Sequence, residues 1–72
     1  MVIKFSLEML ETETIELVKL LKAVGVCSSG GTAKMAIREG KVNVDGLVEI
    51  RKGRKIRRGQ KVEFKGSVIE VR

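Results

Sequence analysis

Histidine, tryptophan and tyrosine are absent from this 72-residue chain, and cysteine occurs once. Without histidine, the usual zinc ligand sets and the Ser–His and Cys–His catalytic pairs are ruled out within the chain. Asp and Glu form no cluster that suggests a carboxylate-only metal site, so no metal or other cofactor is expected. Cys27, being alone, makes no intramolecular disulfide; it reads as a small apolar filler at a turn between helices rather than as a reactive thiol. No apolar run approaches the ~18 residues of a membrane span, and no signal-peptide core follows Met1. These absences predict a cytoplasmic protein with no membrane partner. A chain this short is one domain, 1–72, and buries only about 60% of its unfolded surface. That leaves little room for a substrate cavity, so neither an enzyme nor a small-molecule substrate is expected.

Acidic residues are missing from one stretch in particular. Between Arg51 and Lys61 there is no Asp or Glu, while seven residues are basic: Arg51, Lys52, Arg54, Lys55, Arg57, Arg58 and Lys61. The whole chain has 15 Lys and Arg against 9 Asp and Glu, a net charge of +6, so nearly half its cations sit there. Such a cluster repels itself, and an anionic partner is the usual reason to keep it. On a small domain, nucleic-acid phosphates are the first candidate. A loop that merely aids solubility is the plainer reading, but clustering of one sign exceeds what solubility needs.

Aromatic poverty narrows the partner. Phe5 and Phe64 both fall in the apolar phase of predicted strands and read as core. Single-strand binders present surface aromatics on which bases stack. This chain is therefore expected to grip the backbone and shape of a structured nucleic acid, with Arg guanidinium groups available to stack on an exposed base.

The apolar pattern predicts an α+β domain: two packed helices against a small, mostly antiparallel sheet of four to five short strands. Val2 to Leu7 alternates as a strand, and Glu8 to Glu13 is a polar connection. Thr14 is placed as the cap of a helix running to about Val24, with Leu17, Val18, Leu20, Leu21 and Val24 on its apolar side and Gly25 ending it. Ser29 caps a second helix over about Gly30 to Glu39, packed through Ala33, Ala36 and Ile37 and stopped by Gly40. Val42 and Val44 begin a hairpin that turns at Asp45-Gly46 and returns through Leu47 to Ile50. Ile56 is the only apolar anchor of the basic segment. Val62 and Phe64 form another strand, Gly66-Ser67 a turn, and Val68 to Val71 the last strand.

Two features of the second helix invite a functional reading. Gly25 to Thr32 has the glycine spacing of a phosphate-binding P-loop, but Gly31 stands where that loop requires Lys, and the preceding segment is a helix rather than a strand. An ATPase is excluded on those grounds. Ser29, Gly30, Gly31 and Thr32 still offer backbone N–H groups at a helix N-terminus, and the two glycines let a phosphate come close; an ordinary capped interhelical turn explains them equally well. Lys34 and Arg38 share one helix face, and Lys41 extends the line. If the basic loop folds beside them, helix and loop form one cationic concavity suited to two phosphate strands across a groove.

The order Ser29, Ala33, Ala36-Ile37, Gly40, Val42, Val44, Asp45-Gly46, Arg51, Gly53-Arg54-Lys55 and Gly59-Gln60-Lys61-Val62 resembles the alpha-L RNA-binding motif, the domain named after ribosomal small-subunit protein four. The resemblance covers about residues 14 to 66. Ser29 to Lys34 is similar to stand-alone, single-domain bacterial members. Two positions depart from the pattern: Gly30 stands where many members have Arg, and Gln60 replaces a common Asp. The resemblance implies a non-catalytic protein binding structured RNA, ribosomal RNA or a ribosomal subunit first among candidates. Charge alone does not separate RNA from DNA. By position it implicates Lys34, Arg38, Lys41, Arg51, Lys52, Arg54 and Lys55, with Ser29 and Gly30 at the helix start and Arg57 and Arg58 flanking. The alternative is a ribosome-associated adaptor that docks an acidic protein surface.

Overall fold

Residues of alternating polarity build the main sheet. In the computed structural model, which describes residues 1–72 apart from the side chain of Met9, its strands are β1 (Val2–Phe5), β3 (Val42–Val44), β4 (Leu47–Val48), β6 (Lys61–Phe64) and β7 (Ser67–Val71). They lie in the order β1-β7-β6-β3-β4. All neighbouring pairs are antiparallel except β1 with β7, which is parallel. Val42 stands opposite Phe64, Val44 opposite Val62, and Val62 opposite Ile69, all buried on one face. A separate two-stranded ribbon pairs β2 (Thr14–Glu16) with β5 (Lys55–Arg57).

Helices α1 (Leu17–Ala23) and α2 (Gly30–Arg38) close the core. Leu17, Leu20 and Leu21 face Ala33, Ala36 and Ile37, joined by Ile15, Ile56 and the sheet residues in one apolar cluster. Small residues on α2 permit this close approach, as the sequence predicts. Cys27 is a buried filler between the helices, and burial raises its thiol pKa. Phe64 is buried and Phe5 half-buried, so neither offers an open stacking platform. Gly25 and Gly40 follow the two helices, and the Ser29 hydroxyl accepts a hydrogen bond from the Thr32 amide at 3.2 Å, as a cap should.

Four predicted boundaries move. Thr14 does not cap a helix. Thr14-Ile15-Glu16 is extended against Arg57, Ile56 and Lys55, and α1 starts only at Leu17. β-branched Thr and Ile suit that ribbon, and Ile15 packs directly opposite the buried Ile56. The first strand ends at Phe5, and Leu7, predicted in that strand, instead opens a short 3-10 turn, Leu7–Leu10, that runs into the predicted connection. The return strand of the first hairpin stops at Val48. The last turn is Lys65-Gly66, one residue earlier than predicted. Its two residues have φ of 47° and 79°, the same mirror-image pattern as Asp45-Gly46 at 50° and 83°. Such turns match the strand twist of a tight hairpin.

Candidate nucleic-acid interface

The segment that carries the basic cluster is held by backbone, which fixes where its side chains stand. Helix α1 has no side-chain cap. Instead its first two amides, Leu17 and Val18, donate to the carbonyls of Arg54 and Lys52 at 2.8 and 3.1 Å. The orphan donors of a helix start thus grip the basic loop. On the far side, Ile56 is fully buried and β5 pairs with β2. Asp45 joins the first hairpin to the same segment. Its carboxylate accepts from the Lys61 amide at 2.9 Å and from the Gln60 side-chain amide at 3.0 Å. The Gln60 side-chain oxygen in turn accepts from the Arg57 amide at 2.8 Å. The Lys61 amide, then Gln60, hold the Asp45 carboxyl below its ordinary pKa.

Between these anchors lies an open concavity of about 900 Å³ lined by Arg51, Gly53, Arg54, Lys55, Arg57, Arg58 and Gln60. Five of its seven lining residues are cationic and none is acidic. Among the described residues, Lys55 and Arg57 form no ion pair, and Arg58 only a loose one with exposed Glu8 at 3.7 Å. Their charge is available to an anion.

The residue that sequence reasoning missed is Glu49. It is the only buried charged residue among those described, 6% exposed, while its neighbours Val48 and Ile50 stand 62% and 64% exposed. One carboxylate oxygen accepts from Arg51 Nε at 3.0 Å and from the Arg51 amide at 3.1 Å. The other accepts from Arg51 Nη2 at 3.1 Å and Arg54 Nη1 at 2.8 Å. These donors, the Arg51 side chain foremost, bring the Glu49 pKa down to about 2. The signal in the sequence is its place: Glu49 is the last carboxylate before the basic run, two residues ahead of Arg51.

The other predicted residues are distributed differently. Lys34 and Arg38 are exposed on α2 and form no ion pair among the described residues, but they do not line the loop concavity. Lys41 pairs with Glu39 at 3.1 Å and borders a separate recess beside Asn43, Glu63 and Lys65. Lys52 is exposed and contributes its backbone to α1. Ser29 is an N-cap, and a Cβ added at Gly30 would meet nothing within 4 Å, so packing does not require that glycine. The loop concavity is therefore not lined by helix and loop together.

Comparison with known proteins converges on one group. The family model described as the S4 domain matches residues 9–72. YbcJ of Escherichia coli K12, whose name carries a provisional RNA-binding description, is 53% identical over 57 residues, covering 79% of this chain and 81% of that protein. YbcJ of Shigella flexneri, named as uncharacterized, matches to the same extent. The solution structure of Escherichia coli YbcJ, described as revealing an αL motif involved in RNA-binding, superimposes with a TM-score of 0.71 at 48% identity, covering 94% of this chain and 84% of that one. With a matching family model over most of its length and relatives above half identity, the chain belongs to the S4 domain family.

Proposed function

We propose that this protein is a non-catalytic RNA-binding domain of the cytoplasm that recognises folded RNA, ribosomal RNA in the first place. The observation that carries the reading is the open concavity in which Arg51, Arg54, Lys55, Arg57 and Arg58 converge without an acidic lining residue. One phosphate strand lies against this concavity. Lys34 and Arg38 on α2 engage a second, with Lys41, Lys52, Ser29 and Gly30 at the margins. Family membership and the RNA-binding description of the YbcJ structure favour RNA over DNA. The shortage of exposed aromatics favours a duplex or stem-loop over an unstructured strand.

Backbone neutralisation dominates such binding, so log K falls with log salt by about 0.7 to 0.9 per phosphate contacted. Fluorescence anisotropy on a ribosomal RNA stem-loop and a DNA hairpin of equal length, across a salt series, tests this. Tighter and salt-steep binding to the RNA is the expected result. Equal binding to both would reduce the site to a generic polyanion patch. Binding to neither would favour an adaptor that docks an acidic protein.

A further inference from the structure

An acidic residue buried beside an RNA-binding surface is a liability on charge alone, since it cancels part of the attraction. Glu49 sits there with four hydrogen bonds from Arg51 and Arg54. Its own amide donates to the Val42 carbonyl at 3.0 Å, so its backbone is tied to β3 and the carboxylate is not free to drift. The Arg51 side chain is 70% exposed and that of Arg54 36% exposed, so each guanidinium has one edge on the carboxylate while the rest faces solvent. Two-point contact with a carboxylate fixes the plane of the Arg51 fork, while Arg54 is tethered at one point, Nη1.

We propose that Glu49 is a positioning residue that pre-orients Arg51 and Arg54 for a folded RNA, lending selectivity for shape at the expense of net charge. The proposal rests on the RNA-binding reading above. With Nε and one hydrogen of Nη2 directed to Glu49, Arg51 keeps Nη1 and the remaining Nη2 hydrogen for a ligand. Arg54, held through Nη1, keeps Nη2 and Nε. A fixed Arg51 edge with the Arg54 guanidinium anchored beside it on the same carboxylate matches a pair of phosphates, or a phosphate and a guanine edge, spaced as a folded RNA presents them. A flexible polyanion gains less from that order, since it adapts to either arrangement.

The test is Glu49→Gln, which keeps the shape and raises the net charge from +6 to +7 by removing one carboxylate. RNA stem-loop affinity is expected to fall on the order of tenfold, the scale of one oriented arginine contact, while affinity for an unstructured single-stranded DNA of equal length, a flexible polyanion, holds or rises. In a chain that also carries Arg51→Ala and Arg54→Ala, Glu49→Gln should produce no further loss. Tighter binding to both nucleic acids would overturn the proposal, because charge alone would then account for Glu49. An equal loss on both, persisting without the two arginines, would make Glu49 merely structural and overturn it too. A second readout needs no RNA: the Arg51 Nε–H signal in the NMR spectrum of the free protein. It should be ordered in the wild type and averaged in Glu49→Gln. Equal order in both would overturn the positioning role even if RNA binding itself failed, and a wild type without RNA preference would sink the functional reading separately.

Discussion

At the scale of single residues, one carboxylate orders the basic surface. Glu49 is buried, yet its pKa falls to about 2, because hydrogen bonds from Arg51 and Arg54 outweigh the desolvation that acts against its charge. The sign of the pH effect follows. A carboxyl whose pKa is lower in the fold than in the unfolded chain contributes stability above the unfolded value of about 4.3, and loses it as pH falls toward about 2. Asp45, held by the Lys61 amide and Gln60, adds in the same direction. The contribution of Glu49 is at most about 3 kcal/mol, and screening of the exposed Arg51 lowers it further. Thermal melts between pH 7 and pH 2.5 are expected to lose stability below pH ~4.5, less steeply in Glu49→Gln than in the wild type. Parallel curves for the two proteins would contradict the assignment.

At the scale of elements, the β2–β5 ribbon decides how the basic loop is held. Ile56 is its sole apolar anchor, fully buried opposite Ile15. Ile56→Ala is expected to cost about 2–5 kcal/mol, which for a domain of this size lowers the melting temperature by roughly 10 °C or more. A shift of only a few degrees, read by circular dichroism, would mean that the ribbon contributes little. The role of Ile56 was legible in the sequence because it is the one apolar residue in a polar run. The ribbon itself was not. Thr14-Ile15-Glu16 runs into a strong helical pattern from Leu17, and nothing local says that its partner lies some forty residues on. Ser29, Gly40 and Asp45-Gly46 were read correctly because capping and turn chemistry are local. The return strand failed for the opposite reason: Leu47, Val48 and Ile50 are apolar yet exposed, and the buried position went to Glu49. Burial there is set by two arginines, a polar logic that hydrophobic alternation does not carry.

At the scale of the whole molecule, the fold separates its tasks. The helices, one face of the main sheet and the ribbon residues Ile15 and Ile56 supply the core, while segment 51–60 gathers charge around the outside of β5. α2 carries Lys34 and Arg38, exposed and outside that concavity. The sequence shows that cations are concentrated in one segment; the alpha-L resemblance, which agrees with the S4 family match, implies which elements present them to RNA. That α2 does not line the concavity required the three-dimensional arrangement. The RNA-binding surface we propose is segment 51–60. Its most direct test is an NMR titration of the ¹⁵N-labelled protein with a ribosomal RNA stem-loop. The account predicts that the largest shift changes fall on Arg51 to Gln60, with smaller ones at Lys34 and Arg38. Changes confined to the far edge of the sheet, at Val2 to Phe5 and Ser67 to Val71, would contradict it.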